Sequence, residues 1–407
     1  MEAKSSPSIF GGALLVTGSC VGAGMLGLPI MTGLVGFFPS LILFVVAAFF
    51  MTFTALLLVE VQQEFSHPVN LSTMCGFSLG KVGRFLCWVT YLFLFYALLV
   101  AYTALSGHHT SLLLEHFLGV NIPEWVGSLF FVILFGTVVY RGTTPVDMLN
   151  RFFMVFKILA YFGLIFLGAK YIEPALYSRV SWIFLLPAVP IMIISFGFHN
   201  MVPSLVKHFN NDTKKVVLSI LFGVLITLIV NLVWQWVALG TIPVGGKDGL
   251  MQSYKEGIDA AQSMSLVLSN PTVSIFSNAL AFFAIMTSFL AQSMSLVHFL
   301  QDATQVKLKE GQESFPITCL ALLPPLIVAI LGPNLFFSAL NFAGGVCAML
   351  LFGVFPVWMC WVKRYKRGHT SGFMVPGGKG VFVFLFLFAL FVMAYQLASM
   401  MGVLGDS

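Results

Sequence analysis

The sequence predicts an all-α integral membrane protein, and three observations lead to that fold class. Charged residues make up 9% of the 407 residues, against roughly 25% in ordinary globular proteins. Apolar types reach 59% and the mean hydropathy is +0.98, so the polar groups are too few to cover a soluble surface. The apolar residues also form continuous runs, which is typical of membrane helices rather than barrel strands. The same composition excludes soluble multidomain proteins, disordered chains and nucleic-acid-binding modules.

The number of spans follows from the length of these runs, because a helix needs about 20 apolar residues to cross the bilayer. Eleven segments qualify, of which the fourth and the ninth are short. Their limits are 8–35, 39–61, 83–106, 125–140, 151–170, 182–205, 215–240, 272–298, 315–332, 335–361 and 380–403. We therefore expect eleven transmembrane helices.

Positive charges set the orientation, because Lys and Arg accumulate on the cytoplasmic side. With the amino terminus inside, fifteen of them lie in inner segments and four in outer ones, and Lys157 lies within the fifth span. The inner set is Lys4, Lys81, Arg84, Arg141, Arg151, Lys207, Lys214, Lys215, Lys307, Lys309, Lys363, Arg364, Lys366, Arg367 and Lys379; the outer set is Lys170, Arg179, Lys247 and Lys255. We predict a cytoplasmic amino terminus and a periplasmic carboxyl terminus, with the inner cluster 363–367 anchored at anionic lipid headgroups.

Two of the spans contain residues that disfavour a regular helix. In the first span, four glycines and a proline fall within the thirteen residues from Thr17 to Pro29. Glycine weakens a helix by roughly 1 kcal/mol and proline by about 3 kcal/mol. In the sixth span, Gly197 is followed by polar residues and by Pro203. Small residues that allow close helix packing are the alternative explanation for each segment.

The spacing of these two segments favours breaks in the helices. They lie five spans apart, an odd number, so the two helices enter the membrane from opposite sides. Interrupted helices at corresponding positions of antiparallel halves indicate a transporter built from inverted repeats. Unwound backbone is tolerated at membrane depth only where it lines a cavity. Its free N–H groups can bind a carboxylate and its carbonyls an ammonium, so a zwitterionic amino acid is the expected ligand.

The residues of these segments also resemble a known family. The run Gly18-Ser-Cys-Val-Gly-Ala-Gly-Met-Leu-Gly-Leu-Pro29 resembles the first-helix signature of amino acid transporters. The run Ser195-Phe-Gly-Phe-His199, followed by Val202-Pro-Ser204, is similar to the sixth-helix signature of bacterial aromatic amino acid permeases. Asn150-Arg-Phe-Phe153 with Lys157-Ile158, and Leu323-Pro-Pro325, are similar to the same family. The likeness covers nearly the whole chain.

This resemblance implies a leucine-transporter-type fold of two five-helix inverted repeats, with helices 1 and 6 broken. The repeats are then 1–170 and 182–361, and 380–403 is an additional eleventh helix. The implied function is proton symport of tyrosine or tryptophan, or both, into a bacterial cell across its cytoplasmic membrane. The first, second, sixth and seventh helices would rock against the rest. The expected partners are the amino acid and the lipid bilayer, without nucleic acid, cofactor, metal or obligatory protein partner.

The predicted substrate-binding residues are those of the two breaks. They are Gly18, Ser19, Cys20, Gly22, Ala23, Gly24, Ser195, Phe196, Gly197, Phe198, His199 and Asn200. His199 could hydrogen-bond a substrate ring or join proton transfer, although a buried histidine bonded to the protein is the structural alternative. Tyr96 and Tyr102 lie six residues apart on the third span, so at most one of them is expected to face the cavity.

Lys157 is the predicted proton-coupling residue, together with Thr287 and Ser288. It lies six residues past Arg151, about 9 Å along the helix axis, and an ionisable group at that depth indicates function. Snorkelling of its side chain to the inner surface is the alternative. The resemblance adds that some proton-coupled relatives place a fifth-helix lysine where sodium-coupled ones bind their ion. Thr287 and Ser288 could then accept hydrogen bonds from the lysine.

Three rival functions remain open from the sequence. They are a sodium-coupled carrier, an amino acid carrier of broader specificity and a membrane sensor that does not transport. An enzyme is disfavoured because the chain has no paired carboxylates, HExxH motif, nucleophile elbow or phosphate loop. The long outer loop 245–270 is either a lid over the site or a plain solvated loop.

Overall fold

The computed structural model of the chain describes residues 8–304, 313–369 and 371–403, except the side chains of residues 116 and 117. Lys4, Lys307 and Lys309 of the inner charge set lie outside the described residues, as do residues 1–7 of the first predicted repeat. Every regular element in the described ranges is helical. The predicted all-α class is therefore confirmed.

Sixteen α-helices run through the described part of the chain. They are α1 (Ile9–Cys20), α2 (Gly24–Val35), α3 (Phe37–Gln62), α4 (Leu71–Leu118), α5 (Glu124–Tyr140), α6 (Thr143–Gly168), α7 (Leu185–Ser195), α8 (Val202–His208), α9 (Thr213–Thr241), α10 (Leu250–Glu256), α11 (Ala260–Leu268), α12 (Pro271–Thr304), α13 (Phe315–Leu331), α14 (Phe336–Phe342), α15 (Phe355–Trp361) and α16 (Lys379–Met400). A π-helical segment, Ala343–Val354, joins α14 to α15 without a loop.

Eight helical segments in the described residues are long and apolar enough to cross a membrane, and the bent pair α1–α2 makes a ninth. The eight are Phe37–Gln62, Leu71–Glu115, Thr143–Tyr171, Trp182–His208, Thr213–Thr241, Pro271–Thr304, Phe336–Lys366 and Lys379–Met400. The protein is thus a multi-pass membrane protein. The predicted spans 125–140 and 315–332 correspond to α5 and α13, which are apolar but only 17 residues long.

The first predicted break is present between α1 and α2. Val21 leaves the helical region (φ −86°, ψ 82°), and α2 starts three residues later at Gly24. The axes of the two helices differ by 63°. Because the chain turns here, the carbonyl of Val21 is not used in a continuing helix and remains available to a side chain.

The second predicted break is present between α7 and α8. Phe196 (φ −108°, ψ 21°) and Phe198 (φ −122°, ψ 8°) depart from helical values, and the chain becomes α-helical again at Val202. Pro203 occupies the first turn of α8, where its missing N–H would have no partner in the helix. The second interruption therefore coincides with the glycine and proline that predicted it, whereas the first falls at Gly22 and leaves Pro29 inside α2.

The third predicted span, 83–106, is too short. In the structure α4 extends from Leu71 to Leu118 and bends at Gly80, which has φ +76° and ψ −167°. This left-handed conformation favours glycine because other residues carry a Cβ. The residues before Gly80 include several polar ones, so their hydropathy did not indicate the helical extension.

The expected headgroup anchor at 363–367 is wrong for two of its residues. Lys363 and Arg364 are buried, and they hold the carboxyl end of α3 rather than lipid. Arg364 forms a buried ion pair with Glu60 through its Nε and Nη2 donors, and Lys363 Nζ donates to the Glu60 carbonyl at 2.6 Å. A hydropathy profile cannot show this, because the acid and the base lie about 300 residues apart in sequence.

Close packing of glycine-bearing helices positions the first break. α1 lies against α9, where Thr17 Oγ1 donates to the Gly223 carbonyl at 3.0 Å. A Cβ on Gly223 would lie 2.8 Å from the Ala13 carbonyl, so only glycine permits this approach. Similarly, α6 packs along α12. These two contacts place the end of α1 between α9, α6 and α12.

Candidate functional site

A cavity of about 340 Å³ lies where the two breaks meet. Its size is at the lower end of the range for small-molecule sites. Its lining is formed by Leu14, Leu15, Gly18, Ser19, Cys20, Val21, Gly22, Gly24, Leu98, Tyr102, Asn150, Met154, Lys157, Ile194, Ser195, Gly197, Asn200, Met201, Thr287, Ser288, Ala291, Gln292, Ser295 and Leu340. The breaks approach each other closely, since a Cβ on Gly24 would lie 3.5 Å from Ser195 Oγ.

Side chains from other helices form hydrogen bonds with the backbone at the first break. Ser288 Oγ on α12 accepts a hydrogen bond from the Ala23 N–H at 2.8 Å. Trp234 Nε1 on α9 donates to the Met25 carbonyl at 3.0 Å. These contacts satisfy backbone groups that the interrupted helix leaves without partners. The conformation of residues 21–25 is thus fixed from two sides before any ligand binds.

Lys157 reaches this break from α6. Its Nζ donates to the Val21 carbonyl at 2.8 Å and to Thr287 Oγ1 at 3.3 Å, and the residue is only 3% exposed. Thr287 Oγ1 in turn donates to the Ala284 carbonyl at 3.1 Å. The ammonium therefore ends at the break and not at the membrane surface, so the snorkelling alternative does not describe this side chain.

The charge of Lys157 is compensated by backbone rather than by a carboxylate. The carboxyl-terminal end of α1 carries the partial negative charge of the helix dipole, and Val21 is the residue that follows it. No ion pair of Lys157 occurs within residues 8–304, 313–369 and 371–403. Ser288, predicted as an acceptor for Lys157, instead binds Ala23. No cluster suited to a metal ion occurs in the same ranges.

At the second break, the predicted residues divide into two groups. Ser195, Gly197 and Asn200 line the cavity, and Ser195 Oγ donates to the Ile191 carbonyl at 2.7 Å. Phe196 and Phe198 are fully buried outside the lining. The ring of Phe196 contacts Phe44 edge-on, with centroids 6.4 Å apart. Of the first-break residues, Ala23 is likewise absent from the lining.

His199 also lies outside the lining of this cavity. Its ring stacks on Phe352 with centroids 4.6 Å apart, and its Nε2 lies 2.9 Å from Thr54 Oγ1. Thr54 uses its own hydrogen in a bond to the Phe50 carbonyl, so Nε2 carries the proton and donates to Thr54. The Nδ1 atom is buried without a hydrogen-bond partner in the described structure, and His199 lines a neighbouring cavity together with Asn200. Its substrate contact stays a prediction.

The structure distinguishes the two candidate tyrosines of α4. Tyr102 lines the cavity, whereas the hydroxyl of Tyr96 donates to the Leu320 carbonyl at 2.8 Å. Two lining residues, Asn150 and Gln292, were not predicted as site residues. Gln292 is an amide inside the eighth predicted span, and that position was the signal that could have identified it. Asn150 stands beside Arg151 at the edge of the fifth predicted span, where a polar residue gives no such signal.

The loop 245–270 is folded against the helices and is not a plain solvated loop. It contains α10 and α11, which pack on α2. Asp259 is fully buried and caps α11 by accepting from the Ala261 N–H at 2.8 Å. Its other oxygen lies 2.7 Å from His109 Nε2 on α4. A second contact joins His108 to Gln262, so two adjacent histidines hold the segment that the sequence offered as a lid.

Comparison with known proteins agrees with this arrangement. Residues 5–396 match the tryptophan/tyrosine permease family. A tryptophan-specific transport protein of Pseudomonas aeruginosa is 30% identical over 97% of this chain and 95% of its own length. Tyrosine-specific transport system 1 of Haemophilus influenzae is 28% identical, over 97% and 98% respectively. The low affinity tryptophan permease of Escherichia coli is 25% identical, over 99% and 98%. The chain therefore belongs to the tryptophan/tyrosine permease family.

Proposed function

We propose that this protein is a secondary transporter that imports aromatic amino acids, tryptophan or tyrosine or both, by proton symport across a bacterial cytoplasmic membrane. Family membership supports a transporter rather than an enzyme, and the named substrates of the relatives support aromatic amino acids. The observation that carries the proposal is that both helix breaks and Lys157 border one cavity. The eleven-span division and the cytoplasmic amino terminus belong to this proposal.

The proposed architecture is the two-repeat one, with 1–170 and 182–361 as antiparallel halves and 380–403 as the additional helix. Two interrupted helices at membrane depth, each in the first helix of its half, support it. In this arrangement the substrate carboxylate faces the amino-terminal end of α2, and the ammonium faces the carbonyls at the end of α7. Opposite helix ends thereby select a zwitterion.

The proposed coupling step acts through the hydrogen bonds of Lys157. A protonated Lys157 joins the end of α1 to α12 through the Val21 carbonyl and Thr287 Oγ1. Loss of the proton removes the charge that the helix dipole of α1 stabilises, and α1 is then freer to move away from α12. Sodium coupling is the weaker alternative because the ammonium occupies the position between these same oxygens.

The structure corresponds, in this proposal, to a conformation that faces the cytoplasm. Most of the lining belongs to the half of the membrane in which α1 begins, including Leu14, Leu15 and Asn150. The lid at the opposite end is closed by the contact between His109 and Asp259. Import then requires an alternate conformation in which this contact opens.

We predict that Asp259→Asn loosens the lid. A hydrogen bond to a charged group contributes about 1.5–3 kcal/mol, so loss of the carboxylate charge raises the open fraction by roughly 10- to 100-fold. The measurement is the labelling of Cys20, which lines the cavity, by a membrane-impermeant maleimide from outside, with the other cysteines replaced. Glu256→Gln is the matched control, because Glu256 contacts only the exposed side chain of Gln252 in the described structure. Equal labelling rates for Asp259→Asn and the control would contradict the assignment of the lid.

The function itself is tested by uptake into proteoliposomes. We expect concentrative uptake of labelled tryptophan or tyrosine when a proton gradient is imposed, inside alkaline. No accumulation is expected with a sodium gradient alone. If only a sodium gradient drives accumulation, the coupling ion is sodium and not the proton. Binding of the amino acids without uptake under either gradient would instead support a sensor.

A further inference from the structure

Two amide side chains in the cavity have unused hydrogen-bond acceptors. Asn150 and Gln292 both line it, and the carbonyl oxygen of each is buried without a hydrogen-bond partner in the described structure. Such oxygens are uncommon in folded proteins, because an unsatisfied buried acceptor destabilises the fold. Each side chain borders the cavity, so rotation about its terminal bonds can turn the oxygen toward a ligand that supplies the missing donor.

Three hydroxyl groups near the breaks are already engaged. Ser195 Oγ donates to the Ile191 carbonyl, and Ser288 Oγ accepts from the Ala23 N–H. Thr287 Oγ1 both accepts from Lys157 and donates to the Ala284 carbonyl. The two amides can therefore accept a new hydrogen bond more readily than these hydroxyls can.

The positions of the amides along their helices distinguish them. Gln292 follows Ser288 by four residues on α12, which places it about 6 Å along the axis from the first break. Asn150 precedes Lys157 by seven residues on α6, about 10 Å along the axis toward the mouth of the cavity. Gln292 is thus the nearer amide to a substrate held at the breaks.

The surroundings of Gln292 suit an aromatic ring. Leu98, Ala291 and Leu340 contribute apolar surface to the same cavity, and none of them can pair with a polar substrate atom. A ring that extends from the breaks over this surface would carry its own donor to the region of Gln292. Indole N–H and phenol O–H are such donors, whereas the phenyl ring has none.

We propose that the carbonyl oxygen of Gln292 accepts a hydrogen bond from the indole N–H or phenol O–H of the substrate. This proposal rests on the proposed function and names the residue that sets its substrate specificity. Gln292 then favours tryptophan and tyrosine over phenylalanine, because binding of phenylalanine leaves its buried oxygen without a donor. In this proposal Gln292, and not His199, forms the hydrogen bond to the substrate ring.

The test compares the uptake of tryptophan, tyrosine and phenylalanine by the wild type and by Gln292→Met. Methionine has a similar length and no acceptor of comparable strength. In the wild type we expect KM for phenylalanine to exceed that for the preferred substrate by roughly 5- to 150-fold, the range set by one unsatisfied buried acceptor. In Gln292→Met this ratio falls to about 1, while uptake of phenylalanine persists and shows that the variant folds. Gln292→Glu keeps an acceptor oxygen and is expected to retain the preference.

Asn150→Leu is the matched control. It removes the other unpaired oxygen of the cavity, and it is expected to change KM for all three amino acids by the same factor. An unchanged ratio in Gln292→Met would overturn the assignment of Gln292, and so would an equal rise of all three KM values. Both results leave aromatic amino acid uptake intact. A wild type that takes up none of the three amino acids would instead refute the proposed function.

Discussion

A Lys157→Ala protein is expected to lose proton-driven accumulation of substrate and to retain exchange of internal for external substrate. The reason is that the ammonium joins the Val21 carbonyl of the first break to Thr287 Oγ1 of α12. Without the lysine, protonation no longer changes the contacts of the first break. We expect the ratio of internal to external substrate to fall to the value seen without a proton gradient. The measurement uses labelled tryptophan in proteoliposomes.

Two further variants sharpen this experiment. Lys157→Arg keeps a positive charge that does not dissociate under these conditions, so it is also expected to abolish accumulation. Lys170→Ala is the control, because Lys170 follows the same helix and its ammonium lies over the face of Phe166, away from the first break. Full accumulation by Lys157→Ala would remove the lysine from the coupling mechanism.

The second large effect is expected at Gly22. A Cβ on this residue would collide with Ser288 Oγ, although it would lie at an ordinary 3.7 Å from Ser288 Cβ. Gly22→Ala should therefore displace the hydroxyl that holds the Ala23 N–H. A misplacement of about 1 Å in a binding site can reduce activity by roughly 100-fold, and we expect a loss of that order in kcat/KM for uptake.

A second-site change tests the cause of this loss. Adding Ser288→Ala to Gly22→Ala removes the colliding oxygen, so uptake should recover in part even though the hydrogen bond to Ala23 is absent. Gly380→Ala serves as the control, since a Cβ there meets nothing within 4 Å. If the double variant is no better than Gly22→Ala alone, a collision with Ser288 is not the reason for the defect.

The main features of the fold could be predicted because they depend on composition and local conformation. The continuous apolar runs predicted the helices, and Gly197 and Pro203 predicted the second break because they weaken a helix wherever it lies. Lys157 was recognisable because a cation at membrane depth needs a partner. These signals do not require knowledge of which helices are neighbours.

The details of the site could not be predicted because they depend on tertiary contacts. Where the backbone leaves the helix, side-chain direction no longer follows a period of 3.6 residues, so the sequence could not show that Phe198 and His199 turn away from the cavity. The choice between Tyr96 and Tyr102 depended on which helix lies beside α4. Gln292 gained its importance only from the absence of a protein partner.

The ion pair between Glu60 and Arg364 restricts how α3 can move. Separation of a buried pair destabilises a protein by about 3–5 kcal/mol when one charge is left alone, so sliding of α3 along the segment Phe336–Lys366 is disfavoured. If α3 rocks during transport, we expect it to rotate about its carboxyl end, at Glu60, with the largest displacement near Phe37. The salt bridge thus acts as a pivot, and motion concentrates at the end of α3 that joins α2.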